Sequence, residues 1–169
     1  MWMKIMREYQ KERIYAWLDP EPHKLGKAFQ LVQSQVAVGS GGMWGKGLGM
    51  GTQNQFDLLP LKESDFIFAV IADELGLIGT IAVIGGFVML VGLGVQTALA
   101  APDRFGMLLA GGLAAWFGVQ AIVNLGGVTG LMPVTGLTLP FFSAGGSSLF
   151  VSMVAAGLLL SVARRVNSA

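Results

Sequence analysis

Two stretches of this chain, residues 75–102 and 105–163, contain no Asp, Glu, Lys, Arg or His. About 20 uncharged apolar residues suffice for a helix to cross the hydrocarbon core of a bilayer. Within that core every backbone N–H and C=O needs a partner inside the protein, which restricts such segments to packed helices or a closed barrel. The 25 glycines among 169 residues favour the helical choice, because small residues let membrane helices approach closely. Hydrophobic residues make up 53% of the chain and charged residues only 12%, so a soluble globular domain is excluded.

Three spans are predicted, over residues 66–94, 107–128 and 147–163. The third is short, which leaves room for its start to lie a few residues earlier. The first connection holds Pro102, Asp103 and Arg104. The second, residues 129–146, is rich in Pro, Gly and Thr, a composition that disfavours helix. Residues 1–65 differ in kind: they are polar, of mixed charge, and carry eight of the eleven Lys and Arg residues. The expected architecture is an all-α integral membrane protein, with a large external loop region (1–65) followed by a three-helix transmembrane region (66–169).

Orientation follows from the arginines. Arg104 lies in the first connection, and Arg164 and Arg165 follow the last span, whereas the second connection has no positive charge. Short positively charged loops stay in the cytoplasm. That places Arg104 and the C-terminus inside, and Asp65 with the second connection outside. The basic residues of the first 65 positions argue the opposite way, but the rule weakens over a loop of that length.

Several chemistries are excluded early. There is no cysteine, hence no disulfide and no thiolate site, and the single histidine, His23, argues against a histidine metal centre or a serine triad. A net charge of +1 gives no reason to expect nucleic acid. The first residues lack the apolar core of a signal peptide. Trp2, Ile5, Met6 and Tyr9 recur at helical spacing, giving an amphipathic stretch that suits either the headgroup layer or packing against the rest of the loop. Asp19-Pro20 and Pro22 end it. Residues 29–43 read as a short buried or re-entrant helix, not a span.

The run from Gly39 to Gly51 has glycine at every second or third position and Lys46 at its centre. It is not a Walker loop: the position five residues before Gly45 is Ser40, and Gly47 follows Lys46 where Ser or Thr is required. Two readings remain, a turn where backbone passes close to backbone, and a set of bare N–H groups beside Lys46 that meets a lipid diphosphate.

Asp65 stands where the polar region turns into the first span. A carboxylate at a membrane surface can do proton chemistry on a lipid-borne substrate; the alternative is a helix N-cap supplied by Ser64 or Asp65. Asp73 and Glu74 follow inside the span, about 12–13 Å further along a continuous helix. Acids within a span face a cavity or a partner, so one of them is expected to be cavity-facing and paired, with a cation outside this chain as a possible source. Gln120, Asn124, Ser143 and Ser147 either line the same cavity or join helix to helix.

The chain resembles the SEDS family, the shape, elongation, division and sporulation proteins FtsW, RodA and SpoVE. The resemblance rests on five runs in order: Tyr9-Gln-Lys-Glu-Arg-Ile-Tyr-Ala-Trp-Leu-Asp-Pro20, the stretch 29–47 ending Gly-Gly-Met-Trp-Gly-Lys46-Gly47, Gly51-Thr-Gln-Asn-Gln55, Asp65-Phe-Ile-Phe-Ala-Val-Ile-Ala-Asp-Glu-Leu-Gly76, and Gly136-Leu-Thr-Leu-Pro-Phe-Phe-Ser-Ala-Gly-Gly-Ser-Ser148. Two positions depart from the family pattern. Glu63-Ser64 stands where His-Thr is usual, and Ala144 where Tyr is usual.

The resemblance implies the last part of a ten-helix bundle, the large external loop and the final three helices, in a bacterial cytoplasmic membrane. It implies a peptidoglycan glycosyltransferase that polymerises lipid II, an undecaprenyl-diphosphate-linked disaccharide peptide, beside a class B penicillin-binding protein and the remaining N-terminal helices. The family's loop aspartate falls on Asp65. Lys46, Gln53, Gln55, Lys62, Ser143 and Ser147 are then the expected substrate contacts, with Asp73 and Glu74 as cavity acids. Glycan extension needs a base for the acceptor hydroxyl, a task a carboxylate can perform. It also needs cations for the departing diphosphate, from Lys46 and Lys62 or from Mg2+ or Mn2+. A transporter of lipid-linked precursors is the competing function, since an acid-lined cavity among glycine-rich helices also suits transport. A non-catalytic binding module is a third. A base at the external surface distinguishes polymerisation from transport.

Overall fold

The computed structural model describes residues 14, 17, 27–51, 65–143 and 145–168. The amphipathic stretch at Trp2–Tyr9 and the candidate contacts Gln53, Gln55 and Lys62 lie outside the described residues. Among the described residues four helices are delimited: α1 (Lys27–Ser40), α2 (Ile67–Ala100), α3 (Arg104–Thr129) and α4 (Gly146–Ser168). Among the described residues there is no strand.

Helices α2, α3 and α4 are each long and apolar enough to cross a membrane. They expose large side chains such as Val88, Met89, Leu99 and Phe150 around their outer faces, as helices bounded by lipid or by further helices do. α1, with 14 residues, falls short of a span, as its composition predicted.

The ends of the helices have local causes. α2 stops at Ala101, whose extended backbone (φ −65, ψ 131) is what a residue before proline prefers. Asp103 then caps α3, its carboxylate accepting from Gly106 N–H at 2.8 Å. α3 ends at Gly130 in the left-handed region, φ 80. The Trp17 indole N–H closes on the Gly130 carbonyl at 2.7 Å.

The third span starts at Gly146, close to the predicted position, but it runs on past Ala163 to Ser168. Arg164 and Arg165 are thus in the helix, not after it. Both are exposed, and long basic side chains at a span's end reach out to the interface. The first span likewise extends to Ala100, beyond residue 94, since nothing in Val95–Ala100 opposes helix before Pro102.

The bundle has two cores. One joins Ala98, Ala110, Leu159 and Val162 of the three spans near the arginine end. There Gly94 lies so close to Ala114 that an added Cβ would stand 2.7 Å from the alanine methyl. The other joins Ala37, Phe66, Phe68, Ala69, Phe87, Ala121, Val128 and Leu139 at the opposite end, where Asp65 lies. Burying these side chains, at roughly 25 cal/mol per Å2 of apolar area, ties α1 and the second connection to the spans.

Candidate active site

The first span is broken. Inside α2, Gly76 has φ 65 and ψ −157, a conformation essentially confined to glycine. An unbroken helix would bond Leu77 N–H to Asp73 C=O and Ile78 N–H to Glu74 C=O. Instead the glycine-rich loop after α1 inserts. Lys46 N–H and Gly47 N–H donate to the Asp73 and Glu74 carbonyls, both at 3.0 Å, while Leu77 N–H and Ile78 N–H donate to Gly42 C=O at 2.9 Å and Met43 C=O at 3.4 Å. Two lost helix bonds become four loop bonds, so the break leaves these peptide groups satisfied.

Contact this close requires glycine. A Cβ on Gly41 would sit 1.9 Å from Ala72 O, one on Gly45 2.1 Å from Glu74 O, and one on Gly76 2.3 Å from Gly45 N. The glycine run is therefore a site of backbone-to-backbone packing, the first of the two sequence readings. The amide groups of Lys46 and Gly47 are bound to α2, which corrects the expectation of bare N–H groups at those positions.

An ion pair locks the same junction. Lys46 Nζ lies 2.5 Å from Asp73 Oδ1. Ser40 Oγ donates to the same carboxylate oxygen at 2.8 Å, and Lys46 Nζ donates to Ser40 Oγ at 2.8 Å. The Asp73 side chain is fully buried and that of Lys46 is 31% exposed. A buried carboxylate needs this kind of pairing. One of the two acids is thus paired, as expected, but its cation comes from this chain's own loop. Glu74 is half-buried beside Gly51, whose added Cβ would stand 3.0 Å from Glu74 Cγ. Ser40 is the partner that the sequence did not single out; a lone serine at a helix end carries no pattern.

Gly76 leaves a half-helix, residues 67–75, with Asp73 near its far end and Asp65 just before its start. The N-cap position falls on Phe66, without a side-chain cap hydrogen bond, and not on Ser64 or Asp65. Asp65 is half-buried at the mouth of a small cleft shared with Asn124, Thr135, Gly136 and Leu137. Asn124 Nδ2 donates to the Asp65 carbonyl at 3.0 Å and to the Leu137 carbonyl at 2.6 Å. Gln120 Nε2, one turn earlier, donates to the Thr138 carbonyl at 2.9 Å.

These amides fasten the second connection to α3, so their bonds run from helix to loop. Ser143 is buried, and its Oγ accepts the Leu139 N–H at 2.8 Å, holding the turn at Pro140–Phe142. Phe141 in that turn has φ 68, rare for a bulky residue, and stacks on Phe117 at 5.3 Å. Ser147 is exposed in the first turn of α4.

The structure thus brings Asp65 to the second connection, and Asp73, Glu74 and Lys46 to the glycine loop, the two groups separated by the half-helix. Arg104 and Arg165 lie at the other end of the bundle, where Arg165 lines one cleft with Asp103. Among the described residues no three His, Cys, Asp or Glu side chains are grouped to hold a metal ion.

Comparison with known proteins fits this arrangement. Residues 1–168 match the family model of FtsW, RodA and SpoVE, described as cell cycle proteins. The chain is 49% identical over 160 residues to a probable peptidoglycan glycosyltransferase FtsW of Geobacter metallireducens, covering 95% of this chain and 42% of that protein. It is 43% identical over 162 residues to the peptidoglycan glycosyltransferase MrdB of Escherichia coli K12, covering 96% and 44%. A solved structure, described as coordinating polymerization and crosslinking in a peptidoglycan synthase complex, superposes with a TM-score of 0.75 at 34% identity, over 98% of this chain and 44% of that one. The chain therefore spans less than half the length of the relatives it matches.

Proposed function

The chain is a multi-pass membrane protein of the FtsW/RodA/SpoVE family, and from that premise we propose that it forms part of a peptidoglycan glycosyltransferase that polymerises lipid II, with Asp65 as the general base. One observation carries the assignment of the base. Asp65 is only half-buried, at the polar boundary where the first span begins beside the second connection, which is where a lipid-anchored sugar is presented.

In this reading the acceptor hydroxyl gives its proton to the Asp65 carboxylate. Its oxygen forms the new glycosidic bond to the donor's anomeric carbon as the bond to the diphosphate breaks. The lipid diphosphate departs with the bonding electron pair. A divalent cation, Mg2+ or Mn2+, would supply charge neutralisation to that leaving group. Such ions are held mostly by phosphate oxygens, which the departing diphosphate itself provides. The Asp65 end faces outward across the bacterial cytoplasmic membrane, and a class B penicillin-binding protein is the partner that crosslinks the product.

The test uses the chain joined to the amino-terminal portion that its relatives carry. Asp65→Asn keeps the shape of the side chain but removes proton acceptance. Polymerisation of lipid II is expected to slow about 10²–10⁴-fold, roughly 3–5 kcal/mol in the barrier, with lipid II binding retained. Thermal stability stays near that of the parent, because Asn and Asp make comparable hydrogen bonds at a helix start. A near-normal rate would remove the base and return the transporter reading.

A further inference from the structure

We propose that Asn124 is a positioning residue for Asp65, fixing the backbone at the base to the second connection. This rests on the reading of Asp65 as the base. Asn124 is 5% exposed, on the face of α3 that looks toward both segments. Its amide can sit only one way round. Two carbonyl oxygens face it, Asp65 O and Leu137 O, so the atom between them must be the two-donor Nδ2.

That orientation leaves Asn124 Oδ1 buried and without a hydrogen bond among the described residues. An orphaned buried acceptor is destabilising. The fold keeps the amide despite this cost, because no other side chain of that size donates to two carbonyls at once. The cleft alongside offers only about 10 Å3, room for about one water.

The same face continues the attachment. At Gly127 the missing side chain lets the Val134 backbone lie against α3, 3.5 Å from where a Cβ would be. Loop 134–138 is thus held along α3, and Asn124 extends that hold to the residue before Phe66. Removing it takes away this hold on the backbone at the base without touching the carboxylate.

The experiment compares Asn124→Ala with Ser34→Ala in the chain joined to the amino-terminal portion of its relatives. Ser34 is also buried and also donates to a distant carbonyl, Val128 O at 3.0 Å, but its hydrogen bonds go to the Leu31 and Val128 carbonyls and not to that of Asp65. Both variants are expected to lose similar thermal stability. Asn124→Ala should lower kcat about 10–100-fold with KM for lipid II within about twofold, while Ser34→Ala keeps kcat within about threefold of the parent. Asn124→Ser, which retains one donor, should fall between, and it serves if the alanine variant fails to fold.

A kcat within about threefold of the parent for Asn124→Ala and Asn124→Ser, a rise in KM alone, or an equal kcat loss in Ser34→Ala would each overturn the proposal. Asp65→Asn, run alongside, separates the two failures. If it is active the base assignment falls and this proposal with it; if it is inactive while Asn124→Ala is normal, only the positioning role falls.

Discussion

Lys46 Nζ sits 2.5 Å from Asp73 Oδ1 across the break in the first span, pinning the glycine loop to the half-helix that follows Asp65. The carboxylate is fully buried and the ammonium is not, so the two charges are unequal in what their loss would do. Lys46→Met removes the cation from a buried Asp73 and leaves Ser40 Oγ as a neutral donor to it. It is expected to cost about 2–3 kcal/mol, below the usual range for a wholly buried pair because part of Lys46 stays in water. Adding Asp73→Asn to Lys46→Met should recover at least about 1 kcal/mol of that loss. Thermal unfolding in detergent of the two singles and the double measures it; strictly additive losses would deny the pair any coupling.

Glycines of one loop should respond in opposite ways. Gly45→Ala and Gly76→Ala drive a Cβ into backbone, and both positions have a positive φ (75 and 65), so each should cost more than about 3 kcal/mol or prevent folding. Gly39, in the last turns of α1 with nothing within 4 Å of its would-be Cβ, should tolerate alanine and gain up to about 1 kcal/mol from helix propensity. Expression level and unfolding temperature read both. Similar behaviour of Gly39→Ala and Gly45→Ala would mean that the loop does not enter the helix.

The absence of cysteine makes labelling direct. Thr135→Cys, in the exposed second connection, should react from outside in intact cells. Arg104→Cys, at the other end of the bundle, should react only after permeabilisation. The reverse pattern would invert the orientation and move Asp65 to the cytoplasmic side.

The purified chain by itself is expected to make no glycan polymer from lipid II and Mg2+. It covers 42% and 44% of the lengths of two glycosyltransferase relatives, and its helices leave large apolar side chains such as Leu99 and Phe150 uncovered. Chain formation from this polypeptide alone, seen as a ladder of products, would show that three spans and a loop build a complete site.

The spans were legible because an uncharged run has few alternatives in a bilayer, and their starts at Ile67 and Gly146 fell within a residue or so of the expectation. Their far ends were not. Helix α4 carries Arg164 and Arg165 within it, since a long side chain lets the charge leave the bilayer while the backbone stays helical. The break at Gly76 was invisible in residues 66–94, which read as one apolar run. Its cause is the loop 41–47, and only the three-dimensional approach of the two shows that Gly41, Gly45 and Gly76 serve one contact. Asp73 and Lys46 were each noticed, but twenty-seven positions separate them and no periodicity pairs them. Gln120 and Asn124 were recognisable as polar groups among the spans; that they hold a loop and the Asp65 carbonyl depends on where residues 134–138 run.

The discontinuity at Gly76 also separates two mechanical tasks. A transmembrane helix changes its tilt when the surrounding bilayer thickens or thins. In α2 the uncharged segment, residues 77–100, begins after Gly76. The piece before it, residues 67–75, is bonded to the 41–47 loop at one end, and through Asp65 to α3 at the other. The same loop also holds Leu77 and Ile78 just past the glycine, so the depth of the carboxylate is expected to follow these protein contacts more than membrane thickness.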